Sequence, residues 1–413
     1  MMINKNHIVT RLLATVLTLC LLNSCMYLLE KKNNKYKDID KDDIAAEFAD
    51  GSRTLPVMFL ETEGHHGINN KDYWKDAEIE IFTPEGRTDD TDVEIKGRGN
   101  STWSFPKKPF NISLEDSHQK SLLGLPEAEK FCMLANWRDR TRIRNAVALE
   151  IARRTSMEWT PQGRFVDLVL DDDWHGNYYL TEKVEPEKLN LGKKGFMLFI
   201  DDHYDKTYRF RSKFKDLPVN ILIADDISLD AATFKQIRDF FDQIEASLYY
   251  GVGNWNEYID IQSFCDWFLI HELTGTDEPS DPKGIYTYCR GDGVLHAGPC
   301  WDFDYHTFRP GSTGLTNPNA FWFDALLKKP EFKAMLKQRW GVIKPLLEDY
   351  IPSYIDSLYK ELLESITIDH QLWPYKNIKT NGDESLTFYD AVQRLKQGFA
   401  EKMAVLDNYC NKL

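Results

Sequence analysis

The 413-residue sequence is poor in cysteine, with seven in all and none at the two-residue spacing of a zinc or redox motif. Beyond Cys25 stand Cys132, Cys265, Cys289, Cys300 and Cys410, an odd number that signals no disulfide framework. Cys289 and Cys300 are spaced to face each other across a hairpin, but buried free thiols are the expected state. Histidine ligands do not cluster, since His296 and His306 stand singly, and this counts against a metal-dependent hydrolase. Positive charge is in deficit, 51 Lys and Arg against 65 Asp and Glu for a net charge of −14. A general nucleic-acid binder needs the opposite balance to neutralise phosphates. The apolar run LLATVLTLCLL, residues 12–22, is too short to cross a membrane as a stable helix. No repeat or low-complexity segment interrupts the chain.

What is present is a globular composition, 42% hydrophobic with 11 Trp and 19 Tyr, enough for one large or two ordinary domains. Lys5, His7 and Arg11 precede the apolar run, which is the layout of a secretory signal. It closes in LNSC, residues 22–25, which resembles a bacterial lipobox and implies lipidation at Cys25, the alternative being a plain signal with an incidental cysteine. The expected product is an exported cell-envelope lipoprotein, on the periplasmic face or the cell surface. Four segments are expected: a signal at 1–25, a flexible polar tether at 26–52, a β-rich lobe at 53–195 and a mostly helical lobe at 196–413.

Strands are expected at 55–64, across AEIEIF, at 92–97 and 108–115, and again through RFVDLVL and YYLTEKV. A helix is expected over 140–155, opened by Asp139 as N-cap. From about residue 229 helices dominate, and Gly275 should end the one that reads IDIQSFCDWFLIHELT. A hairpin turning at GDG then leads into GPCWDFDYHTF, residues 298–308. Read as a strand, this last stretch puts Asp302 and Asp304 on one face and its aromatics on the other. Two carboxylates on one face repel unless a cation sits between them, and a divalent ion on oxygen ligands would answer that need.

The order of parts is that of a protein kinase: glycine loop, lysine-bearing strand, helix, acidic loop, then an aspartate motif. Gly97, Gly99, Asn100, Ser101 and Thr102 would form a loop admitting phosphates to backbone N–H groups. Lys108 shares parity with Phe110, Ile112 and Leu114, which turns it toward the core. Glu150 is the only charge on the stripe Ile143, Ala146, Val147, Ile151, so a Lys108–Glu150 clamp is expected. The acidic loop offers Asp277, Glu278, Asp281 and Lys283, with either Asp277 or Asp281 as base and Lys283 steadying the transferred group. Asp302 would be the principal metal ligand and Asp304 a second or outer one.

The motifs GRGNSTWSFPKKPF, LLANWRDRTRIRNAVALEIARRT, GNYYLTEKVE and AGPCWDFD, taken together, resemble the spore-coat-protein-H-like (CotH) family of atypical protein kinases. The resemblance runs from about residue 55 to 310. It implies an α+β, kinase-like bilobal fold that uses ATP with Mg2+ or Mn2+ to phosphorylate Ser or Thr of a protein substrate. It also implies that LTEKV, residues 180–184, is a hinge against which a purine docks, where Glu182 serves either the nucleotide or the structure. The chain departs from the family in having no Asn between 277 and 288. The competing expectation is a catalytically weak pseudokinase that binds protein or glycan at the cell surface.

Overall fold

The computed structural model describes residues 36–114, 121–203, 207–223, 229–374 and 380–413. The expected signal and lipidation site at Cys25, and the start of the expected tether, lie outside the described residues. The fold is mixed α+β. Helix α1 (Lys41–Ala49) leads into strands β1 (Val57–Thr62), β2 (Lys75–Thr83), the short β3 (Gly86–Arg87), β4 (Thr91–Gly97), β5 (Phe110–Ser113) and β6 (Lys130–Leu134). Helix α2 (Arg144–Arg153) follows, then β7 (Gly163–Leu170) and β8 (Asp173–Glu182). The strands pair in the order β1-β7-β8-β6-β5-β4-β2, and β2 pairs back onto β1. That second pairing closes the sheet into a barrel, which removes its free edges. Only β1 and β7 run parallel. Alternate residues fill the interior, among them Met58, Leu60, Ile95, Ile112, Phe131, Met133, Leu168 and Leu180.

A second, antiparallel sheet follows: β9 (Phe196–Ile200), β10 (Arg209–Arg211), β11 (Pro218–Leu222), β12 (Ile285–Cys289) and β13 (Leu295–Ala297), in the order β10-β11-β9-β12-β13. Helices α3 (Ala231–Tyr250) and α4 (Ile261–Thr274) come between its third and fourth strands in sequence. Helix α4 is buried from Ser263 to Thr274 and so packs on all sides. It starts at Asp260, which accepts from the Ser263 N–H, and ends at Gly275, whose φ of 71° suits a residue without a side chain. Helices α5 (Phe323–Leu326), α6 (Pro330–Leu347), α7 (Tyr350–Leu372) and α8 (Phe388–Cys410) complete the chain.

Three expectations are corrected. Residues 36–52 are no bare tether, because α1 buries Ile44 against the barrel and Tyr36 and Ile39 hydrogen bond to the β7–β8 hairpin. Charge adds to this, with Lys41 2.8 Å from Glu61 and 3.0 Å from Glu80. The expected helix 140–155 shortens to Arg144–Arg153: Ile143 holds the N-cap position, and Asp139, four residues earlier, accepts from the Thr141 N–H and from the N–H of Arg144, the first helical residue. It is buried through Ala152 on every face, so no single apolar stripe singles out Glu150. Last, WDFD is not a strand: β13 stops at Ala297, and Asp302 takes a φ of 68°.

A buried ionic network ties the barrel to the C-terminal helices. Lys107 and Arg142, both fully buried, converge on Asp369 of α7, Arg142 Nε donating at 2.7 Å. Lys107 Nζ also donates to the Asn177 carbonyl of β8, and the Asn177 N–H meets Asp369 at 3.1 Å. Asn177 Nδ2 donates to Ser365 Oγ at 2.9 Å, and Ser365 donates onward to Asp167, which Arg53 also reaches at 3.2 Å. Burial pushes Lys107 down to about 8, whereas Lys107 and Arg142 together outweigh burial and hold Asp369 below the usual carboxylate range. Asp369 faces two cations, so it is the firmly ionised member, and Lys107, sharing it with Arg142, is the weaker-held charge. Removing the shared carboxylate leaves two buried cations uncompensated. Asp369→Ala is therefore expected to cost about 3–5 kcal/mol of stability, measured by urea unfolding.

Candidate active site

A cleft of about 540 Å³ opens between the barrel loops and the second sheet. Its walls come from the β4–β5 loop, the segment after β6, the end of β9, the loop after α4, and the turn Trp301–Tyr305. A volume of this size suits a small-molecule ligand.

The turn carries the chemistry. Phe303 is fully buried, its N–H donates to Asn145 Oδ1 at 2.7 Å, and its carbonyl accepts from Thr307 Oγ1 at 2.7 Å. Its ring lies 5.3 Å from that of buried His271, which burial keeps neutral. With Phe303 pinned inward, the residues on either side turn outward. Asp302 and Asp304 both line the cleft, and so do Trp301 and Tyr305. The two carboxylates thus share a face because a turn places them there, not because of strand alternation.

Electrostatics in the cleft are unbalanced. Asp302 and Asp304 repel one another, and both repel Glu278. Burial, then repulsion from Asp302, pushes Asp304 up to about 8. Burial and the same two aspartates push Glu278 up to about 9. Asp302 lines the cleft with its surface exposed. Desolvation by the surrounding protein, with repulsion from Asp201, shifts it upward against the opposing pull of Arg98. Asp201 is a settled neighbour, accepting from the His203 N–H at 2.7 Å and the Gly284 N–H at 3.1 Å.

Cations offset part of this charge. Arg98 lies 5.7 Å from the Trp301 ring and draws Asp302 down. Arg138 lies 4.6 Å from Phe105 and 5.8 Å from Tyr305 and acts likewise on Asp304. Among the described residues, no three of His, Cys, Asp and Glu gather tightly enough to hold a metal by themselves. Mg2+ seldom needs such a cage, taking one or two carboxylates and drawing its other ligands from water and phosphate. Paired hard oxygens in a deficit of positive charge fit such an ion.

Most of the expected site residues meet here. Gly99, Asn100, Ser101, Thr102, Asp277, Asp281, Lys283, Asp302 and Asp304 all line the one cleft. Asp277 is already engaged by His306 Nδ1 at 2.8 Å, with Arg309 at 4.0 Å. Asp281 is exposed, 4.0 Å from Lys283. Gly97 lies outside, and its lack of a side chain has another cause: a Cβ there would sit 2.3 Å from the Trp103 ring.

The Lys108–Glu150 clamp is not formed. Lys108 Nζ donates to the Trp103 carbonyl at 2.6 Å, and Glu150 pairs with Arg153 and Arg154, each at 2.8 Å. The buried lysine is Lys107. Strand parity fails because β5 begins only at Phe110, after Pro106 and Pro109, neither of which can donate to a ladder. Glu182 also lies outside the cleft, buried in a 3.0 Å pair with Lys188 and accepting from the Gln162 N–H at 2.9 Å. Sequence reasoning overlooked Arg98, Asn136, Arg138, Asn145, Asp201 and Tyr286, all of which line the cleft. Arg98 stands inside the glycine motif and Arg138 inside LANWRDR, so the signal was there, masked by attention to lysine.

Residues 95–406 match the family model described as CotH kinase protein. The chain belongs to the CotH family. The match covers both sheets' contributions to the cleft, from the glycine loop to the last helix. A comparison with curated proteins finds no match. A kinase-like role is what this membership suggests.

The raised carboxyls carry a prediction. A carboxyl that holds its proton more tightly in the fold than in the unfolded chain favours the fold while protonated. That contribution is present below the ordinary carboxylate range and is lost as pH rises toward 8–9. In chelator, the thermal midpoint should fall between pH 5 and 8, and the slope should be shallower in Asp304→Asn.

Proposed function

We propose that this CotH-family chain is an atypical protein kinase with a bilobal, kinase-like arrangement, transferring the γ-phosphate of ATP to a protein Ser or Thr with Mg2+ or Mn2+. The observation that carries this reading is the meeting, in one cleft, of the glycine loop, two arginines and the aspartate pair. Asp302 and Asp304 would hold the metal. A divalent cation there supplies charge neutralisation at the phosphate oxygens. Lys107 lines the cleft but spends its ammonium on Asp369, and Lys108 is turned to Trp103. Arg98 and Arg138 take the phosphate-binding role, since guanidinium groups bind phosphate oxygens in pairs. The flat faces of Trp301 and Tyr286 suit a purine.

In transfer, the acceptor oxygen bonds to phosphorus as the bond to the ADP oxygen breaks, and the acceptor proton passes to a carboxylate. Asp281 is the better base, because Asp277 already shares its oxygens with His306. Lys283 steadies the transferred group. A lipid anchor at Cys25 would hold the enzyme at the cell envelope, facing a protein substrate there. No helix of the described residues is long and apolar enough to cross a membrane. One observation favours a scaffold with weak or no transfer: the missing lysine–glutamate clamp.

Calorimetry on residues 36–413 with ATP and Mn2+ tests the reading. Metal-dependent binding should drop at least about tenfold in Asp302→Ala, with labelled-phosphate transfer to itself and to generic protein acceptors abolished. Binding without transfer supports the scaffold, and no binding by the parent refutes the enzyme. Arg98→Ala and Arg138→Ala should each weaken ATP roughly tenfold, the loss of a hydrogen bond to a charged group.

A further inference from the structure

Asp302 and Asp304 flank Phe303, so the backbone at 303–304 decides where both carboxylates point. Two buried side-chain amides hold it from opposite sides. Asn145 of α2, 3% exposed, accepts from the Phe303 N–H at 2.7 Å. Asn381, fully buried, donates through Nδ2 to the Asp304 carbonyl at 3.1 Å. We propose that Asn145 and Asn381 form an amide clamp that positions the metal-binding aspartates, so that the loop before the last helix completes the site. The inference rests on the reading of Asp302 and Asp304 as metal ligands.

The Asn145 amide is itself fixed in orientation, and the loop that carries Asn381 is fixed in place. Asn145 Nδ2 donates to Asn136 Oδ1 at 2.9 Å, and Asn136 Nδ2 donates to the Arg142 carbonyl at 3.0 Å. The oxygen of Asn145 is therefore the end left for Phe303. Asn381 sits in a loop organised around Glu384, whose Oε1 accepts from the N–H groups of Thr380, Asn381 and Gly382. The loop is docked by Asp383 on Arg144 at 2.6 Å and by Arg140 Nε on the Leu386 carbonyl at 2.9 Å. Among the described residues Asn381 Oδ1 has no hydrogen-bond partner, although it is buried. An orphaned buried acceptor is costly, and stability alone gives no reason to keep it. Aiming the amide donor at Asp304 does give one.

The positive φ of Asp302 sharpens the need. A non-glycine residue in that region persists only where its surroundings overdetermine it. Thr307 and His271 hold the Phe303 carbonyl and ring, which leaves the Phe303 N–H and the Asp304 carbonyl to the two asparagines. Groups one bond removed from metal ligands commonly govern how well those ligands bind.

The two positions need opposite ends of the same side chain, and this gives a test. Aspartate at 145 keeps the acceptor, whereas aspartate at 381 loses the donor. The experiment measures Mn2+ affinity by calorimetry and amide hydrogen exchange over residues 301–306 in the parent, Asn145→Asp, Asn145→Leu and Asn381→Asp. Expected is about tenfold weaker Mn2+ and faster exchange in Asn381→Asp and Asn145→Leu, with Asn145→Asp, which keeps the acceptor for Phe303 but loses the donor to Asn136, exchanging more slowly over 301–306 than Asn145→Leu. Folding is checked by thermal melts, and Asn381→Ala stands in should Asn381→Asp fail to fold. If folded Asn381 variants match the parent in either readout, Asn381 merely fastens the tail and the inference is overturned. If Asn145→Asp exchanges as fast over 301–306 as Asn145→Leu, it is overturned likewise. A parent that binds no Mn2+ refutes the metal reading by itself, and hydrogen exchange then decides the clamp alone.

Discussion

Asp369 is the point on which the architecture turns. Three elements remote in sequence bring charge or backbone to it: Lys107 from the segment before β5, Arg142 from the lead into α2, and Asn177 from β8. A carboxylate this deep is tolerated only because two cations and a backbone N–H meet it. In satisfying them it locks α7 onto the barrel and sets the approach to the glycine loop on one side and α2 on the other. The position of the cleft between barrel and helices follows from that lock.

The second constraint is the turn at 302–304. A buried phenylalanine held by its N–H, its carbonyl and its ring leaves its two neighbours no direction but the cleft. The resulting crowd of carboxylates raises its own proton affinity, an arrangement that stability alone disfavours. Charge repulsion kept in place by packing is a common mark of a functional site. Arg98 and Arg138, each laid against aromatic rings, supply partial compensation of this charge.

Much of the site was legible along the chain. The loop Gly99–Thr102, the acids at 277 and 281 and the aspartates 302 and 304 all announced themselves by composition and order, and they meet in one cleft. The two aspartates nevertheless share a face through a positive-φ turn rather than through alternation along a strand. The lysine was misread by one position, because Pro106 and Pro109 break the period on which parity depends. Glu150 was misassigned because α2 is packed on every face, which leaves periodicity nothing to distinguish.

The sequence by itself determined what is local: where the glycine loop lies, that α4 ends at Gly275, and which residues bring carboxylates. Caps, turns and motifs act within a few residues, so they can be read where they stand. Only the tertiary structure decided which charges pair. Lys107 finds Asp369 across 262 residues, and Asp304 finds Asn381 across 77. A buried charge takes whichever partner packing brings within reach, and that depends on the path of the whole chain rather than on its neighbours.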